Sequence, residues 1–232
     1  MTTPSASASA SQKVLDLGFV ELLETFGDDL TVVNAARVSF HKESKALTKQ
    51  DEKLIHYLAD HHHTSPFFHP QIRMRIKMPI FVAREWFRHQ IGFARNEVSR
   101  RYVDFTPACY LPEAVRARGA KLKQGSKAEP VESNDTAKEM IADINHRACE
   151  TYQELLDMGV APEVARTVLP QGMYTEFIET ASLCAYARLC QLRLDPGAQW
   201  EIRQYADAVR LLLLSKFPVS WAALTKTQEA DA

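Results

Sequence analysis

Alternation over residues 71–78 is the clearest pattern in the chain. Ile72, Met74, Ile76 and Met78 interleave with Gln71, Arg73, Arg75 and Lys77, the period of a strand with one buried face and one basic, solvated face. Upstream, "LTKQDEKLIHYLADHHH" changes to helical spacing. Thr48 is placed as an N-cap, Asp51 and Glu52 suit the first turn, and Leu54, Ile55 and Leu58 form the apolar stripe. The helix is expected to end before "TSPFFHP", where prolines frame a loop. After the strand, Pro79 suits the first position of a helix, where no N–H is needed. Val82, Trp86 and His89 then recur at helical spacing, with Arg84, Glu85 and Arg88 turned elsewhere. Downstream, "EMIADINHRACETYQELLDMG" reads as a helix closed by Gly159, and Pro162 opens a short one through Arg166. "YTEFIETASLCAYARLCQLRL" and "GAQWEIRQYADAVRLLLLSKF" read as two more. Near the start, "KVLDLGFVELLETFGDDLTVVNAARVSF" mixes short β-type runs with a turn at Gly27–Asp29. Helices surrounding a small amount of sheet make an α+β fold.

Composition narrows the class. At 232 residues the chain suits one domain. We place it at 13–220, between a Ser/Ala-rich tail at 1–12 and a C-terminal tail at 221–232, with a mobile insertion at 113–138 where charge, Gly, Pro and Ser dominate. A net charge of −1 gives no global field to hold nucleic acid or an acidic membrane. No run approaches the ~20 apolar residues of a membrane span. The first residues have neither the basic region nor the apolar core of a secretory signal. Four scattered cysteines are expected to be reduced thiols in a cytoplasmic protein, and Cys184 and Cys190 are poorly spaced for one helix face.

Against that near-neutral background, "RHQIGFARNEVSRRY" (88–102) is locally basic. Glu85, Glu97 and Asp104 do not balance Arg84, Arg88, Arg95, Arg100 and Arg101. Glycine-rich phosphate loops are missing, so side chains must bind any anion, and arginine's fork of donors suits phosphate or a planar imide. On residues alone, a nucleic-acid-binding surface stays open beside a small-anion pocket. We expect no metal site. His61, His62 and His63 are consecutive, so on a helix end their imidazoles diverge by about 100° each and do not share one ion; one of them is expected near a cofactor. Cys109, in "TPACYLP", reads as a small buried hydrophobe rather than a nucleophile.

"PIFVAREWFRHQIGFARNEVSRRY" resembles the signature of the flavin-dependent thymidylate synthases, the thymidylate synthase-complementing family. Their motif is R-H-R, seven residues, then S, often R-H-R-x-x-S-x-N-E-x-S-x-R-Y. "NAARVSF", "HTSPFFH", "ARTVLPQGMYTEF" and "LRLDPGAQWEIRQYA" follow in the family's order, so the likeness runs from about Val32 to Val209. It implies a mostly antiparallel sheet, active sites at subunit interfaces and a homotetramer. The implied reaction converts dUMP to dTMP without a cysteine nucleophile, with methylenetetrahydrofolate as carbon donor and NADPH-reduced FAD as hydride source. By position in the motifs, Glu85, Arg88, Glu97, Ser99, Arg101, Arg166 and Arg193 are implied for dUMP, with Arg193 the catalytic group at the pyrimidine edge. Ser65, Arg88, His89, Gln90, Glu97, Ser182 and Arg188 are implied for FAD. The chain departs from the family at Gln90, where arginine is usual, and at Glu85, Phe68, Cys184 and Ser182. One extra residue precedes Ser99, and we expect a bulge within "IGFAR". A relative that keeps the fold and has lost flavin is the alternative these departures leave.

Overall fold

Five antiparallel strands in the order β1-β2-β3-β5-β4 run through the computed structural model, which describes residues 10–103, 105–119 and 125–226. They are β1 (Ala10–Val14), β2 (Gly18–Phe26), β3 (Gln71–Pro79), β4 (Phe93–Glu97) and β5 (Tyr174–Ser182). The alternation over 71–78 places β3 at the centre, with Ile72, Met74, Ile76 and Met78 all buried in the core. Its basic face is not simply solvated. Arg73 pairs with Glu24 across to β2 at 2.8 Å, and Arg75 with Glu176 across to β5 at 2.5 Å, so cross-strand acids fix the charge pattern of that face.

Residues 174–182 correct the expectation of a helix from Tyr174. Phe177, Glu179 and Ala181 point inward while Ile178 is exposed. Thr175, Ile178 and Thr180 supply the β-branched character that suits a pleated surface. Two glutamates, one on each face, disguise the alternation. Ser182 then ends the strand and caps α6 (Leu183–Arg193), its Oγ accepting from the Ala185 N–H at 3.2 Å. Helix α6 is buried nearly all round, so Cys184 and Cys190 both lie in the core despite their spacing.

Other helices cover the apolar face of the sheet. In α2 (Lys49–Asp60), Thr48 and Asp51 form the capping box expected at that start. Helix α1 (Asp29–Arg37) replaces the extended run read after Gly27: Asp28 accepts from the Thr31 N–H at 3.0 Å, and one capped turn overrides the β-type composition. Helix α3 (Ile80–Trp86) begins one residue after Pro79, which serves as its N-cap, and it ends before His89. Helix α7 (Trp200–Lys216) and α8 (Pro218–Thr225) complete the layer. Asp29 receives the Val219 and Ser220 N–H groups at 3.0 and 2.8 Å, so the first residue of α1 satisfies the free donors at the start of α8.

Expected boundaries shift accordingly. Helix α8 carries Trp221 into the core at 1% exposure, taking 221–225 out of the expected tail. Strand β1 takes 10–12 from the N-terminal tail. Helix α4 (Asn134–Asp157) takes 134–138 from the expected insertion, in which Arg116 also bridges to Pro130. Residues 1–9 and 227–232 of those tails and residues 120–124 lie outside the described residues.

Candidate active site

Local sequence explains why residues 80–102 leave and rejoin the sheet. Val82, Ala83 and Trp86 fasten α3 to the core, so Arg84, Glu85 and Arg88 face outward. The chain then reverses at Gly92, whose φ is +83°. A Cβ there would meet Ala185 Cβ at 3.1 Å and Ser182 Oγ at 3.3 Å, so this left-handed, crowded position suits glycine. Strand β4 follows and pairs with β5 from Phe93–Ala181 to Glu97–Phe177 without a break. The expected bulge therefore does not interrupt the ladder, and the turn before Phe93 lies outside it.

Three groups of predicted residues emerge. In the first, Arg193 at the end of α6 donates from Nε to His89 Nε2 at 2.9 Å and from Nη2 to the Glu85 carbonyl at 3.2 Å. Its Nη1 lies 3.6 Å from the Glu85 carboxylate. Because His89 Nε2 accepts, the ring is neutral with its proton on Nδ1. Burial, followed by the charges of Arg193, Arg95 and Arg188, pushes its pKa down to about 4. Arg95 donates to the His89 carbonyl at 2.6 Å and also pairs with the buried Glu179. Burial pushes the Glu179 carboxyl up, opposed by Arg95 and by the Trp86 indole N–H at 3.1 Å. Sequence reading missed this Arg95–Glu179–Trp86 support, because a helical assignment of 174–182 hid the inward aim of Glu179.

The second group surrounds a cavity of about 650 Å³ at the C-terminal end of β4. Glu97, Ser99 and Arg166 line it, with Thr175 donating to Glu97 at 2.5 Å. Arg101 pairs with Glu163 at 3.3 Å, while Arg166 Nε donates to the Glu163 carbonyl at 3.3 Å. The short helix α5 (Pro162–Ala165) thus brings both guanidiniums together. Arg84 also lines this cavity, exposed and without a side-chain partner among the described residues. Its place in the arginine cluster was the available signal.

A third group lies at the turn before β4. Arg188 donates to the Ile91 carbonyl at 3.1 Å and covers the Phe68 ring at 5.6 Å. Ser182 N–H donates to the Gly92 carbonyl at 3.3 Å. Ser65 opens the 3-10 turn that carries Phe68. Ser182 itself is buried and its hydroxyl is committed to the α6 cap, so it holds the turn rather than offering a free donor. Arg88 and Gln90 are exposed and have no side-chain partner among the described residues. No hydrogen bond or ion pair among the described residues joins the Arg193 group to the cavity group.

For a flavin dinucleotide the donor set fits. Arg88, Gln90 and Ser65 are uncommitted, Arg188 is exposed, and Arg95 Nη2 is buried without a partner at the same turn, which suits an anionic diphosphate and a polar ring edge. Among the described residues, no three His, Cys, Asp or Glu side chains gather as a metal site would need, and His61 stacks on Tyr57 at 4.1 Å. No helix there is long and apolar enough to cross a membrane.

Residues 21–219 match the family model described as thymidylate synthase complementing protein. The flavin-dependent thymidylate synthase of Thermus thermophilus is 42% identical over 210 residues, covering 90% of this chain and 76% of the relative. That of Thermosipho melanesiensis is 40% identical over 215 residues, covering 92% and 93%. Among solved structures, the UMP/dUMP methylase PolB from Streptomyces cacaoi bound with 5-Br dUMP matches with a TM-score of 0.81 at 31% identity, covering 92% of this chain and 97% of that one.

Proposed function

The chain belongs to the thymidylate synthase complementing protein family, and from that premise we propose that it is a flavin-dependent thymidylate synthase converting dUMP to dTMP. The observation that carries this reading is the convergence of Glu97, Ser99 and Arg166 on one cavity, with Arg101 held beside Arg166 by Glu163. Two guanidiniums that line this opening, Arg84 and Arg166, with the Ser99 hydroxyl, suit a phosphate dianion. Arg193 then has the catalytic role. Its guanidinium, held by His89 and Glu85, faces the pyrimidine edge and stabilises negative charge on the ring, so that C5 becomes the nucleophile. Neutral His89 accepts from Arg193 and adds no competing cation.

Arg88, His89, Gln90, Ser65 and Arg188 would hold FAD, with Glu97 between the two ligands and Ser182 fixing the turn beneath. Held there and reduced by NADPH, FAD would supply hydride for the methyl group whose carbon comes from methylenetetrahydrofolate. No thiol attacks the pyrimidine. Burial and the neighbouring Cys149 push the Cys109 thiol up to about 12, so it stays protonated near neutral pH.

A homotetramer completes the reading. Within one chain the Arg193 group and the cavity group are separate, and a second subunit brings them together. Helix α4 supports this: of its 24 residues only Tyr152 is buried, while Met140 and Ile144 are 68% and 61% exposed. A net charge of −1 favours the small anion over nucleic acid.

The test is the colour and turnover of the purified protein. A yellow preparation that bleaches with NADPH and makes dTMP from dUMP and methylenetetrahydrofolate is expected, with UMP run alongside because PolB is named for both nucleotides. Colourless protein that added FAD does not restore would overturn the reading in favour of a flavin-free relative.

A further inference from the structure

A second cavity, of about 790 Å³, opens away from these groups, between β1, the segment 110–116 and α7. Its lining acids are mostly occupied. Asp16 receives the Tyr174 hydroxyl and, at 3.2 Å, the Leu111 N–H; Asp207 pairs with Arg210 at 2.7 Å. Glu113 alone of the lining carboxylates has no partner among the described residues. Its cations are mostly free. Lys13, Lys127 and Lys138 make no ion pair among the described residues, and Arg203 Nε is buried there without a partner. Only Arg116 is committed, to Glu201 at 2.5 Å. Four cations without an ion pair face two such carboxylates, Asp16 and Glu113, and the surplus makes this a site for several negative charges on one molecule.

Its other wall is apolar. The Trp200 indole is covered on one side by the Arg116 guanidinium at 4.8 Å and remains 36% exposed, and Leu211, about three turns further along α7, is 44% exposed at the other end of the wall. A planar ring fits against that surface. We propose that this cavity binds a nucleoside triphosphate, its phosphates on Lys13, Lys127, Lys138 and Arg203 and its base against Trp200. The site is independent of the dUMP cavity. The hydrogen-bonded pair Asp16–Tyr174 stands between them, since Asp16 lines one and Tyr174 the other.

Calorimetric titration of the full chain with ATP, tripolyphosphate and adenosine tests this directly. ATP is expected to saturate one site per chain and to bind at least about ten-fold more tightly than tripolyphosphate. Lys13→Glu combined with Lys138→Glu should weaken ATP by at least about ten-fold, and Arg166→Ala, in the dUMP cavity, should leave it unchanged. Neither lysine has an ion-pair partner to lose among the described residues. If the double variant still proves unfolded by its thermal transition, Arg203→Gln replaces it with the same expected weakening. No ATP binding, binding indifferent to these cations, or binding lost in Arg166→Ala overturns the proposal. Tripolyphosphate as tight as ATP overturns the nucleoside contact and with it the ligand class.

Discussion

Arg193 joins the neutral His89 ring and the Glu85 carboxylate through one side chain, and on the proposed reading that arrangement makes its role separable from flavin binding. Arg193→Ala is expected to keep the flavin spectrum while dTMP formation falls by about 10²–10³-fold, the usual effect of removing one charge-stabilising donor. Single-turnover product analysis beside the absorbance spectrum checks both halves. His89 gives a pH signature. Its folded pKa, about 4, lies below the ordinary 6.5, so between those values the unfolded chain binds more protons. Stability should fall as pH drops through that window and be unaffected above it. His89→Gln should flatten that part of the urea-midpoint profile. The family resemblance named Arg193, Arg166 and Ser99 as candidates, and the structure sets Ser99 and Arg166 on one cavity and Arg193 beside His89. The resemblance did not reveal Arg84 as a lining residue or Glu163 as the bridge between Arg101 and Arg166, because both depend on where α3 and α5 rest.

At the scale of elements, β5 carries the main surprise. Strand β3 was readable because its exposed positions are charged and its buried ones aliphatic. Strand β5 buries a glutamate, which breaks that code. Glu179→Leu should destabilise the chain by about 3–5 kcal/mol by leaving Arg95 without its acid, and adding Arg95→Met should recover much of the loss. Urea unfolding of both variants checks this; equal stability of the two would remove Arg95 from the account. The turn before β4 makes a second demand. Gly92→Ala should lose about 1–2 kcal/mol from the left-handed backbone alone, and the 3.1 Å approach to Ala185 adds to the strain. Its flavin affinity should fall in step, read by titrating FAD into apoprotein.

For the whole molecule, the α+β class was visible in the spacing of apolar residues, whereas the proposed assembly has no such signal, because an exposed methionine on a helix looks the same in a monomer and at an interface. Met140→Glu with Ile144→Glu is expected to yield smaller particles by sedimentation, still cooperatively folded and without dTMP formation. Wild-type size in that variant would move the interface off α4. Reach along the chain matters in another way at Asp29, whose carboxylate meets the Val219 and Ser220 amides. Because that carboxylate belongs to an early helix, carboxy-terminal trimming acts at a distance: a protein cut after Lys216 strands an anion in the interior and uncovers the core surface on which Trp221 packs. Proteolytic clipping there should therefore loosen the amino-terminal helices as well as the last one.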